Sequence, residues 1–204
     1  MRKTVIIIVS IVLILSGLNM KKYDILFSFG QFLMDCRMNE AAHFVFLTAV
    51  KTPDPALKSK AFTQAARIAM RHKRFQAGLS YSLEAVKANP KNDDAWLMAA
   101  IPGDSSGLNP EITLKYVNQA IFLKSDDPDY YDQKIILLTK LNRIEEAKQV
   151  ADVLIAKFPN YSSINTIKKK QAGLDLLIAD KKGESVRAKL DAFDKLNKSN
   201  ISSK

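Results

Sequence analysis

A chain of 204 residues with 47% hydrophobic and 25% charged side chains is long enough to bury one sizeable core and too apolar to be disordered throughout. Its single cysteine, Cys36, excludes an intramolecular disulfide framework and a cysteine-rich zinc site. The net charge of +10 is unevenly placed: residues 51–92 hold nine Lys and Arg against Asp54 and Glu84, residues 93–127 hold two lysines against six acids, and ten basic residues face five acids from position 162 onward. That polarity argues against a uniformly basic nucleic-acid binder.

Arg2 and Lys3 precede Val5–Leu18, in which Ser10, Ser16 and Gly17 are the only non-aliphatic residues. A basic start followed by an apolar run has the form of an export signal. The run is short beside the ~20 residues of a spanning helix. Signal peptidase needs two small residues separated by one, and near the end of the run Ser16 meets Leu18 and Gly17 meets Asn19. Residues 1–22 are therefore expected to be an uncleaved signal anchor, single-pass in the inner (cytoplasmic) membrane with the rest of the chain exported. The alternative is cleavage and a soluble periplasmic or secreted protein. Lys21 and Lys22 partly balance Arg2 and Lys3, and the lack of an acid before the run favours an inside N-terminus.

From Tyr23 apolar residues recur at helical spacing. In residues 23–56, Leu26, Gly30, Leu33, Ala42, Phe46 and Ala49 form one inward pattern, which Thr52-Pro53-Asp54-Pro55 ends. Cys36, among helical apolar residues, is expected to be a buried small hydrophobe. Residues 59–92 repeat the pattern with Phe62, Ala66, Ala69, Gly78, Ser82 and Ala85. Small residues there let two helix backbones approach, and Phe62, Tyr81 and Leu83 fill what remains. Pro90, with no N–H to give, stops the second helix.

In residues 93–127, Asp93 and Asp94 open a helix, where the dipole favours acids, and Trp96 stands where Phe62 stood. Ile101-Pro102-Gly103 is expected to stop that helix early. Asn109-Pro110-Glu111 then opens the next as cap and first turn, with Tyr116, Val117, Ala120 and Ile121 facing inward. Residues 128–161 return to the pattern with Tyr131, Ile135, Leu138, Ala147, Ala151 and Leu154. Beyond Tyr161, Ile164, Ile167, Leu174, Leu177 and Ile178 share one helix face and Lys168, Lys169 and Lys170 the other. Ala172, Leu176, Ala179, Gly183, Ala188 and Ala192 trace a weaker copy, so 162–198 reads as a capping unit and 199–204 as a polar tail.

The first anchor recurs at Leu26, Phe62, Trp96 and Tyr131 with gaps of 36, 34 and 35 residues, and the closing position at Ala49, Ala85, Ala120 and Leu154 with gaps of 36, 35 and 34. Two series in phase indicate internal repetition at a solenoid period. The pattern, clearest in Ser59–Asn92, resembles the tetratricopeptide repeat (TPR), a helical hairpin of about 34 residues that stacks into arrays. The resemblance implies an all-α, right-handed superhelical solenoid of antiparallel helix pairs behind the N-terminal hydrophobic helix. It also implies a groove lined by first-helix residues, which on this template are Gln31, Met34, Lys60, Arg67, Arg71, Asp129 and Asp132. Chaperone-binding members of the family hold a C-terminal carboxylate with lysine and asparagine; Phe27 and Gln31 stand at those first-unit positions here, so that function is not carried over.

Gly103-Asp104-Ser105-Ser106-Gly107 has the form of a nucleophile elbow, but both histidines, His43 and His72, precede it and no strand pattern leads into it. Neither histidine has a metal-ligand spacing to a second His or Cys, and there is no glycine-rich phosphate loop. Arg71-His72-Lys73-Arg74 reads as a solvated turn. The expectation is a non-enzymatic envelope scaffold that holds a partner protein without metal or cofactor. The alternative is binding of an anionic polymer or lipid surface through the basic segments, and self-association stays open.

Overall fold

Four helices start on a side chain that accepts a bond from their own first turn: Asp54 from the Ala56 N–H at 2.9 Å, Asn92 from Ala95 at 3.3 Å, Asn109 from Glu111 at 2.9 Å and Asp127 from Asp129 at 3.1 Å. Pro55, Pro110 and Pro128 follow three of these caps, at the position where a missing N–H leaves nothing unpaired. The computed structural model describes residues 21–182, with 190 and 194. Among them lie nine helices and no strand: α1 Lys21–Asp35, α2 Asn39–Ala49, α3 Pro55–Arg71, α4 Phe75–Ala88, α5 Asp93–Ser105, α6 Pro110–Leu123, α7 Pro128–Lys140, α8 Ile144–Lys157 and α9 Ile164–Lys181. The apolar run Val5–Leu18, the weaker repeat at Gly183, Ala188 and Ala192, and the tail lie outside the described residues. Within the described residues no helix is long and apolar enough to cross a membrane.

Each hairpin turn closes the same way. Arg37, Lys73, Gly107 and Asn142 have φ of +59°, +57°, +78° and +57°, and they recur with the anchor series' gaps of 36, 34 and 35. Each left-handed residue donates its N–H three residues back, as Lys73 does to Met70 O at 2.9 Å, and the next residue donates five back, as Arg74 does to Ala69 O at 2.9 Å. This pair of bonds satisfies carbonyls that a helix end leaves unpaired. Arg74 and Arg143, which precede α4 and α8, need no side-chain cap because the turn feeds straight into the helix.

The described residues divide into two compact units after Lys124. In the first, successive helices from α1 to α6 pack in order, and α1, α3 and α5 also touch in succession. Its first core cluster joins Leu26, Leu33, Val45 and Phe46 to Ala61, Ala65 and Ile68. Burying a side chain such as Phe46 contributes about 1.5–3 kcal/mol. Gly30 makes room for that ring, since a Cβ there would lie 2.7 Å from Phe46 Cε1. Asn92 donates to Ser59 Oγ at 2.8 Å, and Ser59 donates to Ala85 O at 2.8 Å, which ties α3, α4 and α5 through a buried polar chain. In the second unit α7 packs on α8 and α8 on α9, around Ile135, Leu138, Ala147, Ala151, Leu154 and Ile167.

The closing series Ala49, Ala85, Ala120 and Leu154 is fully buried. The anchor series is not: Leu26 is buried, whereas Phe62, Trp96 and Tyr131 are half-buried. Trp96 and Tyr131 keep their polar tips in the linking loop, donating to Pro90 O and Ser125 O at 2.9 Å each. Leu83 and Leu177, expected inside, are 41% and 51% exposed, and Cys36 is an exposed free thiol rather than a core residue.

The expected stop at Pro102 does not occur: α5 continues to Ser105 with Pro102 buried inside it. Proline deprives the carbonyl four residues back, Met98 O, of its helical donor. Ser82 on α4 replaces that donor, its Oγ lying 2.5 Å from Met98 O and 2.8 Å from Gly78 O. A hydroxyl has one proton, and the shorter contact takes it. The Pro102 ring then packs on α4, its Cβ being 3.4 Å from where a Gly78 Cβ would stand.

Candidate functional site

The first-helix face of the first unit carries five of the seven residues singled out from the sequence. Lys60, Arg67 and Arg71 are spaced seven and four apart on α3, which puts them within about 40° of arc. Gln31, one repeat before Arg67, and Met34 are half-buried on α1; Met34 packs against the first core cluster. Lys60 and Arg71 are exposed.

Arg67 is the best-fixed member. Its Nη2 donates to both carboxylate oxygens of Asp94 on α5, at 2.9 and 2.7 Å. Both side chains are about a third exposed, at 36% and 35%. One nitrogen therefore serves two oxygens, and Nε is buried without a partner. A two-nitrogen fork would be stronger and more directional. Arg71 Nη1 lies 3.4 Å from Asn39 Oδ1, a long contact at the margin of hydrogen bonding.

Beside this stripe, Glu40 at the start of α2 accepts from Arg74 at 3.3 Å and lies 3.4 Å from His72 Nε2. His43, one turn along α2, packs its ring 5.6 Å from Tyr81. Burial, reinforced by the Arg74 charge, holds its pKa below the ordinary histidine value, because a second cation in an already desolvated place is disfavoured.

The two acids of the second unit are engaged within that unit. Asp129 accepts from the Tyr161 hydroxyl at 2.6 Å. Burial, with that hydrogen bond, pushes the phenol up to about 12. Asp132 is paired with Lys170 on α9. Sequence reasoning set Lys168–Lys170 on a face away from the core; one of the three turns to α7 instead. A basic residue 38 positions after an acid gives no local signal.

Ser105 ends α5 and Gly107 occupies the left-handed turn position, so the elbow-like pentapeptide is a helix end without the strand-to-helix turn that mechanism requires. Among the described residues no group of three or more His, Cys, Asp or Glu is placed to hold a metal ion.

Solved structures share the fold of these helices. YrrB aligns at a TM-score of 0.66 with 16% identity over 84% of this chain and 84% of that one. The chain has the tetratricopeptide-repeat fold. MamA from Desulfovibrio magneticus RS-1, solved from residue 41 to its end, aligns at 0.69 with 10% identity, over 87% of this chain and 96% of that one. TTC0263, a thermophilic TPR protein of Thermus thermophilus, aligns at 0.57 with 16% identity, over 76% and 82%. No protein-family model and no curated protein matches the sequence. At these identities the TPR likeness is one of backbone, and the residues on the α3 stripe are this chain's own.

Proposed function

We propose that this TPR protein is a non-catalytic scaffold of the cell envelope that holds an extended acidic segment of a partner protein on the first-helix face of its first unit. Val5–Leu18 serves as the signal anchor in the inner membrane, with the helical part exported. The reading is carried by the α3 stripe: Lys60, Arg67 and Arg71 share one line, and Asp94, a carboxylate bonded to it, is held by one guanidinium nitrogen. A carboxylate of the partner can take the remaining donors without dismantling the core. Such a face selects by charge and steers association. YrrB, described as a TPR protein with an unusual peptide-binding site, supports peptide binding by a structure of this kind.

The test uses the full chain in detergent micelles and fluorescent acidic, neutral and basic decapeptides read by anisotropy. Acidic peptide binding is expected to be lost in Lys60→Glu/Arg67→Glu/Arg71→Glu with helicity retained, and to strengthen several-fold in Asp94→Asn. Equal binding by the triple variant, or preference for the basic peptide, refutes the assignment. The excess of basic residues over 51–92 favours one other reading, the holding of an anionic polymer or lipid surface. That binding would accept any polyanion and fall steeply with salt.

A further inference from the structure

One face of α1 has no counterpart elsewhere in the first unit. Ile25, Phe29 and Phe32, followed by Cys36, are spaced four, three and four residues apart and so share about 60° of arc. Cys36 continues the helical turn, donating its N–H to Phe32 O at 3.0 Å. Ile25 is 47% and Phe32 59% exposed, Phe29 is half-buried, and the two rings stack with centroids 6.4 Å apart.

Repeat register shows what this face is. With Leu26 set against Phe62 and Trp96, the counterparts of Ile25, Phe29 and Phe32 are Ala61, Ala65 and Ile68 on α3, and Ala95, Ala99 and Pro102 on α5. All six are buried, in helices that pack on the second helix of the preceding hairpin. Where a helix does dock, two of the three positions are alanine, so that backbones can approach. On α1 the same positions carry isoleucine and two phenylalanines, whose side chains would hold a docking helix off. The face is apolar, bulky and uncharged, which suits a soft apolar medium better than another repeat.

Its surroundings point the same way. Val5–Leu18 ends three residues before Lys21, where α1 begins. At that end of α1 the Lys22 ammonium lies 4.9 Å from the centroid of the Tyr23 ring, and aromatic and basic side chains together are the usual furnishing of a membrane–water boundary. A helix can lie in the interface plane with one apolar face in the headgroup–acyl boundary, and α1 can do so while Leu26 and Leu33 stay in the core. We infer that α1 lies along a lipid bilayer with Ile25, Phe29 and Phe32 inserted, so that the membrane covers the open end of the repeat array. The inference rests on the reading of Val5–Leu18 as an anchor.

Cys36, the sole cysteine, gives a built-in reporter. The full chain, labelled there with an environment-sensitive fluorophore, is mixed with vesicles of phosphatidylcholine and phosphatidylglycerol, with and without brominated acyl chains. Flotation with the vesicles, a blue shift of the label and quenching by brominated lipid are expected. Quenching should be several-fold weaker in Phe32→Ser, and absent for a label at Lys87→Cys in a Cys36→Ser chain, since Lys87 is exposed on α4. Flotation with a water-like label at Cys36 overturns the inference and leaves the anchor standing; failure to float overturns both. A label already shielded without lipid means that protein covers the face, and overturns the inference too.

Discussion

Ser82→Ala probes how a proline is accommodated inside α5. The substitution leaves Met98 O without the donor that Pro102 denies it and Ser82 supplies at 2.5 Å. A buried acceptor left unpaired costs about 1–3 kcal/mol. In a chain of this size each kcal/mol lowers Tm by about 2–4 °C. The decisive measurement is the double-mutant cycle with Pro102→Ala. Alanine at 102 brings back a backbone N–H in line with Met98 O and frees the Ser82 proton for Gly78 O at 2.8 Å, so the same loss of Ser82 should then cost under ~1 kcal/mol, the worth of that one bond. A coupling of at least ~1 kcal/mol is expected, as for residues sharing one network. Urea unfolding of the full chain, followed by fluorescence of Trp96 on α5 itself, reads it directly. A Ser82→Ala cost that agrees in the two backgrounds within ~0.3 kcal/mol would mean that the hydroxyl does not replace the missing helical donor, and the account of the buried proline would be wrong.

Two glycines of the first unit should respond in opposite ways. Gly30→Ala drives a Cβ to 2.7 Å from the fully buried Phe46 ring and should destabilise by about 1–3 kcal/mol. Gly78→Ala meets its nearest neighbour at 3.4 Å, an ordinary contact, and should be neutral or gain up to ~1 kcal/mol of helix propensity; urea midpoints of the two variants check both. Lys73→Gly relieves a left-handed conformation at φ +57° and should stabilise by up to ~1 kcal/mol, read as a raised urea midpoint, whereas no gain would show that the lysine is unstrained. The depressed pKa of His43 fixes a sign. The unfolded chain binds a proton there at a pH where the folded one does not, so stability is full above the unfolded value of 6.5 and falls as pH drops through it towards the folded value. His43→Gln should flatten that dependence in urea midpoints taken from neutral to mildly acidic pH.

The repeat was legible because its signal is redundant. Leu26, Gly30, Leu33, Ala42, Phe46 and Ala49 are all buried, as are Ile135, Leu138, Ala147, Ala151 and Leu154 in the second unit, because helical spacing alone decides which side chains meet. Pro102 breaks the pattern for the converse reason: a local rule says proline ends a helix, and the residue that suspends the rule, Ser82, stands on another helix, 16 positions before the carbonyl it satisfies. Cys36 and Leu83 failed similarly, since an apolar neighbourhood in sequence does not say which side of the hairpin a residue faces. Of the candidate site, the α3 stripe follows from spacing, but its pairing with Asp94, and the engagement of Asp129 and Asp132 by Tyr161 and Lys170, come from contacts 27 to 38 residues apart.

The recurrence of one turn geometry constrains how this chain can change length. The three-residue turns at 72–74 and 141–143 are each fixed by the same two backbone bonds, whereas the links at 50–54 and 89–92 already differ by a residue. One residue added in a turn would rotate the next helix by about 100° and swing Gly78, Ser82 and Ala85 off the face that α3 and α5 occupy. The same residue added in a link leaves each hairpin's internal register intact. The turn at 106–109 carries its one extra residue after the same two bonds, where Asn109 caps the next helix, and epitope tags or reporter domains belong in the links at 50–54 or 89–92, where the array has already absorbed a change of phase.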